Sequence, residues 1–494
     1  MARTTEERVP AHILERYEAV IGLEVHVQLK TASKIFCACS TRFGDPPNQN
    51  VCPVCLGLPG TLPVLNRQAV ELAVRAALAL NCQVQPLARF ARKNYFYPDL
   101  PKGYQISMYE LPLARDGWLE VELNGEARRI GITRLHLEED AAKALHEGFP
   151  DSDRLTYIDF NRCGVPLIEI VSEPDLRTPA EAQAYLEELR QVLQYIGVSD
   201  CNMEEGSLRC DANVSVRPRG QTALGTKTEV KNLNSFRYLA RALAYEIERQ
   251  VAVLEQNGRI EQETRLWNLA AGRTEPMRSK EYAHDYRYFP EPDLLPVVVS
   301  ADWREQIRAA LPELPAARRQ RFVAAYGLEP YDARVLTASR ELGDFFEATV
   351  AAGAPPREAA SWIEVELLRR LKEAGQEVSA CRVRPAELAD LIRRVERGEI
   401  TAATAKRVFA RLFETGQSLE QLLAGEELQQ ITDAAALEEI CRGILAADPE
   451  NVARYRAGNA GTLKYFVGQV MRATRGRANP TLVHEILRRL LEST

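Results

Sequence analysis

Four of the chain's cysteines are close enough in sequence to bind one metal ion. They lie within residues 37–55 as two pairs, Cys37 with Cys39 and Cys52 with Cys55. The loop between the pairs contains one glycine and two prolines, whose turns could fold the pairs toward each other. Four thiolates form the closed tetrahedral set of a structural zinc site. The spacing therefore predicts zinc, and the alternative is four reduced cysteines in a loop.

Acidic residues and one histidine lie inside strand-like segments. Residues 21–29 are apolar at every odd position, so Glu24 and His26 point to the same side. Glu169 interrupts an apolar run, where an unpaired charge is costly and therefore needs a cation. The acidic triplet at 138–140 follows a change of apolar phase, which indicates a bulge or a strand end. Together these groups predict a site for a hard cation such as Mg²⁺, unless each is an ordinary solvated strand residue.

Alternating charges mark two further strand-like segments. Each segment places three polar side chains on one face, at Arg209, Asp211 and Asn213 and at Lys227, Glu229 and Lys231. Such faces could grip phosphates and a carboxylate, while cross-strand ion pairs account for them equally well. The string at 92–97 combines two cations with three rings, which suits phosphate contact and base stacking or ordinary aromatic packing. Residues 220–228 resemble a phosphate loop, but a strand-like run follows where a helix should begin, so the motif is rejected.

Two regions with different periodicity must position these groups. The first 300 residues alternate over short segments and show helical spacing at 67–81, 179–196 and 235–257. Beyond residue 300 the alternation nearly vanishes, and alanine, leucine, glutamate and arginine fill helix-length blocks at 357–374, 385–397 and 480–492. The predicted fold class is therefore α+β, sheet-rich first and helical afterwards.

Size, charge and hydropathy narrow the function classes. At 494 residues the chain is long for a single domain. Its 63 basic and 69 acidic residues give a formal charge of −6, so any contact with RNA must be local. The N-terminal sequence lacks the apolar region of a signal peptide, and no later run is apolar enough for a membrane span. With sparse cysteines outside the quartet, we expect a cytoplasmic protein in a reducing compartment, without a membrane partner.

Long strings from residue 18 to the C-terminus resemble one family. They are YEAVIGLEVHVQL, CPVCLGLPGTLPVLN, RKNYFYPDLPKGYQIS, RLHLEEDAAK, PLIEIVSEPD, MEEGSLRCDANVSV, KNLNSF and DYRYFPEPD. The family is the B subunit of the tRNA-dependent amidotransferase, which converts Glu-tRNA(Gln) and Asp-tRNA(Asn) into the amide forms. The resemblance implies that ATP and Mg²⁺ are used to phosphorylate the side-chain carboxylate of the mischarged aminoacyl group. Ammonia then displaces the phosphate, which makes the expected enzyme an ATP-dependent carbon–nitrogen ligase.

The resemblance also implies a magnesium site. His26, Glu139 and Glu169 match the family's magnesium-site positions, and Glu24 lies beside them. The acids at 139 and 169 are accordingly expected to be catalytic. Mg²⁺ and a lysine would offset charge on the transferring phosphoryl group, so that positioning does most of the catalysis.

Four further positions follow from the same resemblance. Lys93 and Tyr95 match positions near the kinase pocket, where they are expected to bind ATP. Lys102 and Asp211 match polar positions that line the ammonia path. Lys93, Lys102 and Asp211 are therefore expected to be catalytic residues as well.

Three domains are implied by the resemblance. They are a β-rich cradle, a helical connector and a helical tail that approaches the tRNA body, and the proline and glycine punctuation near 289–293 and 351–357 sets their bounds at 1–298, 299–354 and 355–494. The tail contains a concentration of cations expected to contact tRNA phosphates, at Lys464, Arg472, Arg475 and Arg477. The alternative is a solvated helix end, where cations also offset the helix dipole.

Partner subunits are required by this interpretation. In the family a glutaminase, the A subunit, supplies ammonia, and a small C subunit stabilises the assembly. The chain itself contains nothing like the amidase signature. A competing hypothesis is a zinc-containing RNA-binding scaffold without catalysis, and another is a free-standing ligase that acts on a small acid. The sequence leaves open whether Glu-tRNA(Gln), Asp-tRNA(Asn) or both are the substrates.

Overall fold

The fold has a sheet-rich and a helical unit. A computed structural model describes residues 9–123, 125–146, 148–277, 286–424, 434–474 and 478–492. It divides into two compact units, Met1–Leu314 and Pro315–Thr494. Every described strand belongs to the first unit, and the described part of the second is helical. The predicted α+β class is therefore confirmed.

The described residues of the first unit form three sheets. Its strands are β1 (Tyr17–Gln28), β2 (Gln83–Val84), β3 (Leu87–Asn94), β4 (Tyr104–Leu111), β5 (Ala114–Leu123), β6 (Glu126–Glu139), β7 (Lys143–Leu145), β8 (Tyr157–Asp159), β9 (Pro166–Ser172), β10 (Leu208–Pro218), β11 (Thr228–Lys231), β12 (Thr264–Asn268), β13 (Arg273–Pro276), β14 (Phe289–Pro290) and β15 (Val297–Val298). Nine of them form one sheet in the order β13-β12-β11-β10-β1-β9-β6-β5-β2. A smaller sheet joins β14, β3, β15 and β4, while β7 and β8 pair by themselves.

Strand β1 occupies the middle of the large sheet. It pairs antiparallel with β10 on one side and with β9 on the other. Its apolar residues, among them Leu23 and Val25, are fully buried, while Glu24 and His26 on the opposite face are only partly buried. On β6, the expected change of phase is present as a register shift against β9 between Ile132 and Arg134.

Helices cover the apolar side of the large sheet. They are α2 (Arg67–Ala79), α3 (Pro179–Tyr195) and α4 (Phe236–Glu255), while α1 (Ala11–Arg16) leads into β1 and α5 (Ala301–Ala309) packs on α2. The three helices expected in this half of the chain are present, and each begins at a side-chain cap, namely Asn66, Thr178 and Ser235. Helices α3 and α4 pack against each other and against the sheet, which closes one continuous hydrophobic core.

The described part of the second unit contains two separate hydrophobic cores. Its helices are α6 (Pro315–Tyr326), α7 (Pro330–Leu336), α8 (Arg340–Ala351), α9 (Pro356–Trp362), α10 (Leu368–Ala374), α11 (Pro385–Glu396), α12 (Ala402–Thr415), α13 (Leu419–Ala424), α14 (Ala434–Ala447), α15 (Pro449–Arg456), α16 (Thr462–Ala473) and α17 (Pro480–Glu492). A π-helical turn, Ile363–Leu367, joins α9 to α10, and Val378–Ala380 is a 3₁₀ turn. One core runs from Phe322 to Leu422 and the other from Leu437 to Leu491.

The first core of the second unit contains side chains from both sides of residue 355. The domain bounds predicted at 299 and 355 therefore stay a prediction.

None of the described helices combines the length and the apolar character that a membrane crossing requires.

A buried carboxylate ties α4 to the edge of the large sheet. Glu246 is fully buried, and its oxygens accept hydrogen bonds from Arg249, Thr228 and Thr274. Arg265 lies 3.4 Å from the same carboxylate. Because two cations and two hydroxyls converge on one buried acid, removing that acid leaves buried donors without their acceptor.

We predict that Glu246→Ala lowers the free energy of unfolding of the first unit by about 3–5 kcal/mol. The matched control is Glu255→Ala at the end of the same helix, which breaks an exposed pair with Arg16 and should cost less than about 1 kcal/mol. Urea unfolding followed by tryptophan fluorescence measures both. Equal losses in the two variants would show that the buried network contributes nothing beyond a surface ion pair.

Candidate active site

The polar face of the large sheet concentrates acids and histidines at its centre. On this face β1, β9 and β6 lie side by side, and their antiparallel registers place His26 opposite Glu169 and Glu169 opposite His136. Residues directly opposite on paired strands share a face and lie close together. The three side chains therefore form one row across three strands.

Two carboxylates and two imidazoles meet at this row. The Nε2 atom of His26 lies 3.4 Å from Glu169 Oε2 and 3.8 Å from Glu138 Oε1. The Nε2 atom of His136 lies 3.6 and 3.7 Å from the same two carboxylates. Ligand atoms of His26, Glu138 and Glu169, here called the metal-binding group, all lie within 4.8 Å of one another. Carboxylate oxygens and imidazole nitrogens that converge in this way fit a divalent cation.

Positively charged neighbours keep the Glu169 carboxylate of this group ionised. Burial opposes ionisation of Glu169, but the charges of His136, His26 and Arg134 hold its pKa below the usual range. Burial likewise opposes protonation of His26, yet its hydrogen bond to Glu169 and the charge of Glu138 raise its pKa. A cation bound between the carboxylates would neutralise the same charge.

Glu139 is not brought into this group. Its carboxylate points to the other side of β6, where Lys102 Nζ lies 2.5 Å from Oε2 and the Ile106 amide donates to Oε1. The neighbouring Glu138 takes the place that the resemblance gave to Glu139, because consecutive residues of a strand face opposite sides. The sequence signal for this arrangement was the two-residue spacing of His136 and Glu138.

Glu24 lies next to the metal-binding group on the same face and borders a cavity. It accepts a hydrogen bond of 3.0 Å from the Asn213 side chain. The cavity has a volume of about 290 Å³, and Leu224, Gly225 and Lys227 line its far wall. A Cβ atom at Gly225 would lie 2.3 Å from the Val216 carbonyl oxygen, so only glycine lets this loop approach β10. The segment at 220–228, which was rejected as a phosphate loop, therefore forms a wall of this cavity although it lacks the phosphate-loop motif.

The two charged faces form ion pairs in part. Lys231 Nζ lies 2.5 Å from Asp211 and 2.8 Å from Glu229, which places the predicted Asp211 in a cross-strand pair. Arg209 donates to the buried Asp140 at 2.8 Å, and Gln28 donates to the same carboxylate. Ordinary ion pairs thus account for the rim of the polar face.

Lys93 and Tyr95 belong to an aromatic cluster. The Lys93 ammonium lies 5.7 Å from the Tyr95 ring centroid and 4.9 Å from that of Tyr286. The rings of Tyr95, Tyr286, Tyr288 and Tyr109 then follow one another, the last two stacked at 4.1 Å. Burial and the nearby charge of Glu138 raise the pKa of Tyr95, so the cluster flanks the metal-binding group.

All four cysteines of the quartet come together. Their sulfur atoms converge within 4.8 Å, and the ammonium of Lys34, which is only 1% exposed, lies 3.6 Å from Cys55 Sγ. A hydrogen bond from Cys37 and the charge of Lys34 outweigh burial and lower the pKa of Cys55 to about 4. Four converging sulfurs beside a buried cation fit a structural zinc ion, whose tetrathiolate complex carries negative charge.

Comparisons with known proteins identify the family. Residues 19–305 match the family model described as the GatB/GatE catalytic domain, and residues 344–491 match the one described as the GatB domain. The chain belongs to the GatB/GatE family. It is 56% identical over 475 residues to the B subunit of the aspartyl/glutamyl-tRNA(Asn/Gln) amidotransferase of Carboxydothermus hydrogenoformans, covering 96% of this chain and 99% of the relative. B subunits of the same name from Thermodesulfovibrio yellowstonii (54% over 477 residues, 97% and 100% covered) and Moorella thermoacetica (56% over 475 residues, 96% and 100% covered) are similar.

The metal-binding group, the cavity and the quartet all lie inside the part that matches the GatB/GatE catalytic domain. The matched GatB domain contains α16, where Lys464 and Arg472 are exposed. These two cations and Gly468 follow at four-residue steps, so they share one face of the helix. Arg475 and Arg477 lie outside the described residues.

Two adjacent acids should respond differently to the same substitution. We expect Glu138→Gln to weaken Mn²⁺ or Mg²⁺ binding to the full chain at least about tenfold, because it removes a ligand. Glu139→Gln should leave the affinity within about twofold, because that carboxylate contacts Lys102 instead. Titration calorimetry measures both. If only Glu139→Gln weakens metal binding, Glu139 is the metal ligand, as the resemblance implies.

The quartet should bind zinc. Purified protein should contain about one zinc ion per chain, and replacing Cys52 and Cys55 by serine should remove it. Elemental analysis and the melting temperature of the first unit report the result, with Cys381→Ser in the second unit as control. If metal-free and zinc-loaded protein melt at the same temperature, the result favours the alternative of four reduced cysteines in a loop.

Proposed function

We propose that this chain is the B subunit of an aspartyl/glutamyl-tRNA amidotransferase that acts in the cytoplasm. It phosphorylates the side-chain carboxylate of misacylated Glu-tRNA(Gln) or Asp-tRNA(Asn) with ATP and then amidates it with ammonia. The reaction makes it an ATP-dependent carbon–nitrogen ligase of translation. The observation that carries the proposal is identity above 50% over almost the whole length to proteins of that name.

The metal-binding group supports the kinase step. His26, Glu138 and Glu169 would hold Mg²⁺, which supplies charge neutralisation of the ATP phosphates when it is bound. His136 orients the carboxylates from β6, and its Nδ1 atom has no hydrogen-bond partner among the described residues. Because β1, β9 and β6 belong to one sheet, these ligands are held by rigid backbone.

The cavity beside Glu24 is suited to the nucleotide. It opens on the same face as the metal-binding group, and the exposed Lys227 and the backbone at Gly225 form its wall. A lysine at this place binds phosphate as a point charge, while Asn213 and Ser172 offer neutral hydrogen-bond partners. Lys227 is therefore a phosphate-binding residue that no known nucleotide-binding motif indicates.

Lys93 and the aromatic cluster lie near the same group. Burial raises the pKa of Tyr95 and of Tyr288, and the negative charge of Glu138 raises both further. Both side chains therefore lie near Glu138. Tyrosine rings beside a cation offer a stacking surface to a base, either of ATP or of the tRNA terminus. Lys93 would bring positive charge to the phosphate next to that base.

The second half-reaction uses the opposite side of β6. Lys102 and Glu139 line a cavity of about 220 Å³ that is separate from the nucleotide cavity. Their buried pair gives this cavity a polar wall suited to ammonia, which a glutaminase partner, the A subunit, would release. A small C subunit would stabilise the assembly, and Asp211 would extend the polar surface along β10.

The helical unit supports tRNA binding. Lys464 and Arg472 share an exposed face of α16, and Arg488 is exposed on α17. Cations on neighbouring helices can contact successive phosphates of a nucleic-acid backbone. This surface is where the tRNA body would lie.

Reconstitution tests the function. The chain is combined with candidate glutaminase and small subunits of its own organism and assayed on Glu-tRNA(Gln) and Asp-tRNA(Asn). Amide-form tRNA should be made only with ATP and Mg²⁺, and the Glu138→Gln, Glu169→Gln double variant should make none. If that double variant retains wild-type activity, the two acids have a structural role only. The alternative of a zinc-containing RNA-binding scaffold without catalysis would then be the better account.

In the same assay we expect Lys227→Ala to raise the KM for ATP about tenfold or more. A charge-assisted hydrogen bond to phosphate is worth roughly 1.5–3 kcal/mol, which corresponds to that factor. Lys143→Ala, an exposed lysine on β7, serves as the matched control. A KM for ATP that is equal in the two variants would place the nucleotide phosphates elsewhere.

A further inference from the structure

Cysteines of the quartet and Lys102 line the same cavity, which we call the ammonia-side cavity. Cys37 and Cys55 line the same cavity of about 220 Å³ as Lys102 and Glu139. Between them lies Gly57, two residues after the last cysteine of the quartet. The quartet is therefore next to a functional group and not at a remote edge of the fold.

Gly57 leaves no space against Lys102. Its φ is +68°, and a Cβ atom there would lie 2.2 Å from Cγ and 3.2 Å from Cα of Lys102. Such distances mean that the glycine backbone packs directly on the lysine stem. The lysine stem is thus confined on the side that faces the cysteine loop.

The same turn that carries the second cysteine pair fixes Gly57. The Leu56 amide donates to the Cys52 carbonyl, and the Gly57 amide donates to the Val54 carbonyl. Gly57 therefore belongs to the hydrogen-bonded turn that presents Cys52 and Cys55. A metal ion that holds these two cysteines also holds the glycine.

The loop is anchored on its inner side by Lys34. Its ammonium donates to the carbonyls of Asn50 and Phe160 at 2.7 and 3.2 Å and lies against Cys55 Sγ. Three acceptors satisfy the three donors of a lysine ammonium. A further contact comes from the Cys163 thiol, which donates to the Cys55 carbonyl. The loop is thereby tied to the segment that precedes β9.

At the far end of the lysine stem lies the buried pair. The Lys102 side chain is 10% exposed and that of Glu139 is 3% exposed, with 2.5 Å between Nζ and Oε2. A flexible four-carbon stem keeps such a geometry only when its surroundings confine it. The confining surface on one side is Gly57.

We propose that the cysteine quartet, when it binds zinc, holds Lys102 on Glu139 through Gly57. Gly57 is a positioning residue, and zinc binding sets the geometry of the lysine that lines the ammonia-side cavity. Loss of zinc, or a side chain at position 57, releases the lysine from Glu139. The consequence for ammonia transfer rests on the proposed function, whereas the positioning itself does not.

The test measures exposure of the lysine directly in the full chain. Reductive methylation with formaldehyde and cyanoborohydride labels accessible neutral amines, and peptide mass spectrometry reports the rate at Lys102. Gly57→Ala and zinc-chelated wild type should both label Lys102 at least about fivefold faster than zinc-loaded wild type. Lys231, in its own ion pairs away from the quartet, serves as the internal reference.

The matched control is Gly60→Ala. Gly60 belongs to the same loop with φ of +85°, so alanine is equally strained there, but no atom lies within 4 Å of the added Cβ. It should label Lys102 at the wild-type rate. Gly57→Ala should also keep its zinc by elemental analysis, which separates loss of contact from loss of metal.

Three outcomes would overturn the proposal. They are an unchanged labelling rate in Gly57→Ala, an equal increase in Gly60→Ala, and no increase on chelation of wild type. The chelation arm decides the matter if Gly57→Ala does not fold. In the reconstituted complex, Gly57→Ala should reduce glutamine-dependent amidation while the KM for ATP is unchanged. If the complex has no activity even with wild type, the proposed function fails while the labelling result stands.

Discussion

His26 stands opposite Glu169 because β1 and β9 pair in a single antiparallel register, and the rest of the polar face follows from that pairing. Strand β1 also pairs with β10, which places Arg209 opposite His26. The pairing of β9 with β6 extends the row to His136. A slip of one residue would turn all of these groups into the hydrophobic core. Buried residues such as Val25 on the opposite face resist that slip, so the core that stabilises the fold also maintains the geometry of the site.

Charge is distributed unevenly along this face. At its rim Asp211 meets Lys231 and Asp140 meets Arg209, while Glu24 accepts a hydrogen bond from the neutral Asn213 side chain. At its centre Glu138 and Glu169 meet two imidazoles, and within the described residues the arginine nearest to Glu169 lies 3.5 Å away. The rim thus consists of close ion pairs, whereas at the centre two carboxylates face two imidazoles and Arg134, at the place where a metal and a phosphate would enter.

Local patterns predicted much of this arrangement. The alternation in residues 21–29 was enough to place Glu24 and His26 on one face, and the spacing of the cysteines was enough to bring the quartet together. Alternation alone could not choose between Glu138 and Glu139, because the phase at the end of β6 depends on a bulge and on its pairing with β9. The resemblance assigned Glu139 to the metal site, whereas the structure places Glu138 beside His26 and Glu169, because the two acids are adjacent in sequence and point to opposite sides of β6.

Contacts between distant segments could not be predicted from spacing. The segment at 220–228 lacks the pattern of a phosphate loop, yet it forms a cavity wall because Gly225 packs on β10. Likewise nothing near Gly57 in sequence indicates Lys102, and the aromatic cluster joins Tyr95 to Tyr286 across nearly two hundred residues. These features arise only when the sheets and loops have packed.

The bulge in β6 divides the strand into two parts with different tolerance to insertions and deletions. A residue added before Ile132 can be absorbed where the register already shifts. One residue added between Arg134 and Glu138 would exchange the directions of the two acids, leaving the metal-binding group and Lys102 each with the wrong partner. The length of this stretch is therefore constrained by two sites at once.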